Sequence, residues 1–80
     1  MSRPSIRKEK FDQIIGEVWA EYLFAVHKFP SFDGEPEALH QIERQYLQLM
    51  NANLIDKYKA KQAIELMAMC IRYLIDCGKI

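Results

Sequence analysis

The stretch Glu37–Met50, E-A-L-H-Q-I-E-R-Q-Y-L-Q-L-M, decides how this chain reads. Its apolar residues Leu39, Ile42, Tyr46 and Leu49 recur at spacings of three, four and three. That rhythm draws one stripe along an α-helix and does not fit the two-residue period of a strand. Arg44, Gln45 and Gln48 sit beside the stripe and are the residues on which any chemistry would turn.

On either side of this helix lies another. Upstream, Phe11, Ile14, Ile15, Val18, Trp19, Tyr22, Leu23 and Val26 form an apolar face wider than one stripe, so this helix is expected to lie centrally or to pack on two neighbours. Glu17 and Glu21 stand one turn apart on its polar side, where a solvated face is the ordinary reading. Pro4 and Ser5 mark its expected start. Lys28–Pro36, K-F-P-S-F-D-G-E-P, is the one clear loop. Pro30 and Gly34 end the first helix, Pro36 suits the first turn of the second, and Phe29 and Phe32 are expected to plug the corner between helices. Asn51 and Asn53 are weak helix formers. Asp56 is the expected N-cap of a third helix and Gly78 its stop. The pattern predicts an all-α fold in a single helical domain over residues 1–80, with helices near 6–28, 36–53 and 57–77.

The third helix is apolar on most sides: Ala63, Ile64, Met67, Ile71, Leu74 and Ile75 on one, Leu66, Met69, Cys70 and Tyr73 on others. Two helices of an 80-residue chain can hardly cover it. A partner is therefore expected to complete the bundle, most simply a second copy in a homo-oligomer.

Composition narrows the partners. Eleven basic residues balance eleven acidic ones, which is not the footprint of a nucleic-acid binder. The basic start, Arg3, Arg7, Lys8 and Lys10, reads as a solvated helix end. The start lacks the apolar core of a signal peptide, and the longest apolar run, Leu66–Ile71, is far below the roughly 20 residues of a membrane span. Cys70 and Cys77, seven apart on one helix, lie about 10 Å apart between Cα atoms, too far for an internal disulfide. Both are expected to be reduced, buried thiols of a cytoplasmic protein.

His27 and His40 lack the helical spacing of a zinc pair, and Met50, Met67 and Met69 read as core filler. The three glycines are too scattered for a phosphate loop. One ordered constellation remains. Gln45 and Gln48 on the second helix, and Gln62 and Glu65 on the third, are both i, i+3 pairs. If those helices are antiparallel neighbours, the four side chains converge. Surface glutamines are also common, and taken alone that is the plainer reading.

At these residues the chain resembles the MazG-like all-α nucleotide pyrophosphohydrolases, particularly the small forms of phages and prophages. The likeness runs from about Ile14 to Asp76. It is carried by I-I-G-E-V-W-A-E-Y (Ile14–Tyr22), K-F-P-S-F (Lys28–Phe32) and A-I-E-L-M-A-M-C-I-R-Y-L-I-D (Ala63–Asp76). The resemblance implies a three-helix MazG-like bundle completed by oligomerisation. It also implies a Mg²⁺ site built from Glu-Glu-x-x-Glu on one helix and Glu-x-x-Asp on the next. Here those motifs fall on Arg44, Gln45 and Gln48, and on Gln62 and Glu65. Three carboxylates become amides, one becomes a cation, and only Glu65 keeps a charge suited to a hard metal. The sequence thus points to a degenerate site with no catalytic residue, no metal ligand and no cofactor. Arg44, Gln45, Gln48, Gln62 and Glu65 would bind a nucleotide-like ligand, Arg44 holding phosphate without metal, or the surface would engage a host protein. The alternative is a working Mg²⁺-dependent enzyme with Glu17, Glu21, Glu43 and Glu65 as a rearranged carboxylate set.

Overall fold

The computed structural model describes residues 6–51, 53 and 55–80. Three α-helices account for most of them: α1 (Lys8–Lys28), α2 (Glu35–Leu49) and α3 (Asp56–Asp76). No strand occurs among the described residues. The all-α, three-helix expectation holds, and no described helix is long and apolar enough to cross a membrane.

The helix ends follow local chemistry. Gly34 precedes α2 and Pro36 lies in its first turn. There the Glu37 carboxylate reaches back to accept the Asp33 amide at 2.8 Å, so an otherwise free donor is satisfied. α2 ends at Leu49, four residues before the expected Asn53. The Asn51 side chain accepts the Asn53 amide at 3.0 Å, a local turn that competes with helix. Asp56 is the first residue of α3 rather than its N-cap. Ile55 takes that place with no side-chain hydrogen bond, and Asp56 lends its charge to the positive end of the helix. The expected start at Pro4 and Ser5 lies outside the described residues; α1 begins at Lys8.

α3 ends as expected at Gly78, whose φ of 64° is the left-handed conformation that glycine adopts without strain. The Gly78 amide donates to Ile75 O and the Lys79 amide to Leu74 O, a Schellman closure. This turn carries Lys79 to Glu35 at the start of α2, at 3.2 Å, beside the Tyr73 hydroxyl, which donates to the same carboxylate at 2.6 Å. Gln45, farther along α2, reaches the level of Glu65. α2 therefore runs antiparallel to α3.

α3 is the centre of the bundle. α1 and α2 both pack on it and not on each other. The expectation that α1 lies centrally is corrected: its wide apolar face is covered by one neighbour only. The stripe expected on α2 is also rotated. Ala38 is fully buried, with Ile42, Gln45 and Leu49 partly covered, while Leu39 and Tyr46 are about half exposed. Ala38, Ile42, Gln45 and Leu49 share a helix face with Glu35, which is tied to α3, and the small Ala38 permits close approach.

The junction of α1, the loop and α3 is held by Arg72, which is only 4% exposed. Its Nη2 donates to Phe29 O at 2.8 Å and to Pro30 O, its Nη1 to Ala25 O at 3.5 Å, and its Nε to Asp76 at 3.2 Å. Phe32 lies under the guanidinium, 5.0 Å from ring centre to Cζ. The charge is thus buried at the negative end of α1, where its donors meet the loop carbonyls of Phe29 and Pro30 and share the Ala25 carbonyl with the Phe29 amide. Of the two loop aromatics, Phe32 fills the corner, whereas Phe29 is half exposed.

Arg72→Ala removes these donors and strands several carbonyls. We expect a loss of about 2–4 kcal/mol in unfolding free energy, with Arg72→Lys recovering less than half. Urea denaturation followed by circular dichroism checks this. A change within experimental error for Arg72→Ala would show that the guanidinium does not hold the junction.

Candidate functional site

Because α1 and α2 do not touch, a cleft of about 240 Å³ opens between them over α3. α1 supplies Glu21, Phe24 and Ala25 to its wall, the loop after it Phe29, α2 Gln45, and α3 Glu65, Ala68, Met69 and Arg72. A wider cleft of about 500 Å³ shares Glu21 and Phe24 and continues along α1 and the first half of α3, past Glu17, Lys57 and Lys61.

Of the five residues singled out by sequence, Gln45 and Glu65 line the smaller cleft together. Gln62 lies half-buried on α3 and does not line it. Arg44 and Gln48 are exposed and lie outside its wall. Gln45 shares the packed face of α2 with Ala38, whereas Arg44 and Gln48 lie off that face and stay exposed.

The electrostatics favour hydrogen-bond donors over anions. The side-chain oxygens of Gln45 and Gln62 are buried and meet no donor among the described residues. A buried acceptor without a partner costs about 1–3 kcal/mol. Burial pushes the Glu65 carboxyl above its ordinary range, and the nearby Glu21 carboxylate pushes the same way against a smaller opposing pull from Lys61. Arg72 lines the cleft, but its donors already meet carbonyls and Asp76. A phosphate group would therefore find no free cation in the wall of the smaller cleft; Lys28 lies over the wall rings of Phe24 and Phe29, and Lys57 and Lys61 belong to the wider continuation.

Glu17 and Glu21 share the wider cleft, and Glu21 faces Glu65, whereas Glu43 is exposed and lines neither. Among the described residues, no group of three or more His, Cys, Asp or Glu side chains is placed to hold a metal ion. Two carboxylates, one of them biased toward its neutral form, do not fit the anionic set that Mg²⁺ requires. Cys70 and Cys77 are free and half-buried, and burial raises the Cys70 thiol above its ordinary value. Of the charged wall residues, Glu21 entered the sequence reading only through the alternative carboxylate set, and Arg72 did not enter it as a site residue. The i, i+4 pair Glu17–Glu21 signalled the first, whereas nothing in the spacing of α3 signalled what Arg72 would meet.

Comparison with protein-family models, curated proteins and solved structures found no match. The likeness to the MazG-like family rests on the residues quoted above.

Because the Glu65 carboxyl holds its proton more tightly in the folded chain than in the unfolded one, its ionisation weakens the fold as pH rises through the folded-state pKa, which lies above 4.5. Below the unfolded value that penalty is absent. Glu65→Gln is therefore expected to raise the urea midpoint at pH 7 and to leave it close to the parent's at pH 4. A lower midpoint at pH 7 would mean that the ionised carboxylate has a stabilising partner.

Proposed function

We propose that this chain is a non-catalytic, homo-oligomeric helical binding module of MazG-like build. The observation that carries the reading is an incomplete core. Val18, Ala38 and Ala68 are the buried apolar residues among those described, while Phe11, Trp19, Tyr46, Leu47 and Ile75 are each about half exposed or more. A compact 9.4-kDa monomer exposes about 5,000 Å² by the usual size scaling. This chain exposes 6569 Å². Its radius of gyration is 14.2 Å, against about 12 Å for a globular domain of this length. Both differences have the sign expected of a protomer whose partner is a second copy. Light scattering at micromolar concentration is expected to give at least twice the chain mass. A monomer of 9.4 kDa throughout would end the homo-oligomeric reading.

The cleft supports a binding role. The unpaired Gln45 amide oxygen and the Glu21–Glu65 pair favour a ligand that brings hydrogen-bond donors, such as the amino and imino edge of a nucleobase. The position of Arg44 outside the cleft gives less support to recognition through phosphate.

One observation favours a hydrolase instead: Glu17, Glu21 and Glu65 gather along adjoining clefts. A screen of nucleoside triphosphates with Mg²⁺ and Mn²⁺ separates the two readings. We expect no release of pyrophosphate above background. Metal-dependent release abolished by Glu21→Gln or Glu65→Gln would establish the enzyme.

A further inference from the structure

α3 keeps one apolar side that α2 does not reach and α1 covers only in part. Ile71 and Ile75 emerge there and meet Ile15, Trp19 and Tyr22 of α1. With Val18 as the floor, these residues line an apolar groove of about 150 Å³. Trp19 is 60% exposed and Ile75 55%, and Trp19 stacks on Tyr22 with ring centres 6.0 Å apart. No charged residue lines the groove. We infer that this α1–α3 groove is the surface by which two copies of the chain pair, Trp19 of each copy closing over Ile71 and Ile75 of the other. The inference rests on the homo-oligomeric reading above and assigns its interface.

The area argues for a second copy. The chain exposes roughly 1,500 Å² more than a compact monomer of its mass, and a stable pair needs about 800 Å² from each partner. The groove is built from two helices. Joining two such faces about a two-fold axis gives a bundle of four, the arrangement in which apolar stripes of paired helices are usually buried. A chain with no net charge adds no overall repulsion between copies. The competing apolar surface is the outer flank of α2, Tyr46, Leu47 and Met50. It belongs to a single helix, with Glu43 and Arg44 exposed on the same helix.

Trp19 is the one tryptophan and reports directly on the groove. Three proteins are compared: the parent, Ile75→Glu in the groove, and Leu47→Glu on the α2 flank. For each, mass is measured by light scattering, and Trp19 emission and acrylamide quenching are followed from nanomolar to micromolar concentration. The parent is expected to double in mass while its emission moves to the blue and quenching falls over the same concentrations. Ile75→Glu is expected to raise the dissociation constant by about a factor of ten or more, with helix content unchanged, and Leu47→Glu to pair as the parent does. If the parent doubles in mass while Trp19 emission and quenching stay constant, the groove is not the interface. The same follows if Leu47→Glu is a monomer and a folded Ile75→Glu still pairs. In both cases homo-oligomerisation stands and only its site is wrong. Should Ile75→Glu lose its helix content, the parent's Trp19 signals decide alone. A parent that stays monomeric removes both readings together.

Discussion

A buried guanidinium sets the geometry of this chain. Arg72 lies on α3, yet its donors reach the last turn of α1 and the loop that follows, while Asp76 on its own helix balances the charge. Burying a charge is costly unless it is paired and fully hydrogen-bonded, and here the loop carbonyls of Phe29 and Pro30, with Asp76, supply the bonds. The result is directional. The end of α1 must approach α3 at Arg72, the loop must pass over the guanidinium with Phe32 beneath it, and the chain then leaves toward the start of α2. A second tie, Glu35 to Tyr73 and Lys79, fixes that start against the same C-terminal end of α3. The Tyr73 hydrogen bond, with Lys79 beside it, holds the Glu35 carboxyl below its usual range, so the tie is between ionised and polar groups at neutral pH.

With both outer helices fixed to α3 and neither to the other, two surfaces follow. Between α1 and α2 lies the first cleft, floored by Ala68, with Glu21, Gln45 and Glu65 set among apolar walls of Phe24, Phe29 and Met69. On the far side of α1 lies the apolar groove of Trp19, Ile71 and Ile75. The small residues Ala38 and Ala68 matter because they permit close packing on α3 while leaving larger side chains facing outward. A short chain built this way buries little by itself, which connects the fold to the proposed assembly.

The three helices were legible because their punctuation is strong. The loop with Pro30, Gly34 and Pro36, and the stop at Gly78, act through backbone restrictions that need no tertiary context. The apolarity of α3 on most sides also signalled that it is the element others cover. The rotation of α2 was not legible. Leu39 and Tyr46 outweigh Ala38 and Gln45 on any hydropathy pattern, yet the chosen face is set by the Glu35 tie, formed with residues 38 and 44 positions away. That rotation puts Gln45 beside Glu65, while Arg44 and Gln48 remain exposed. Arg72 was visible only as a charge inside an apolar helix. Its partners are main-chain carbonyls of residues 25, 29 and 30, which carry no mark in a sequence of side chains.

Arg72 ties α1 and the loop to α3, while α2 is held separately. Amide hydrogen exchange of the parent and Arg72→Lys, under native conditions where local openings dominate, tests it most directly. The account predicts faster exchange in the last turns of α1 and in the loop after it, with the amides of α2 unchanged. An equal acceleration in α1 and α2, or none in α1, would contradict it.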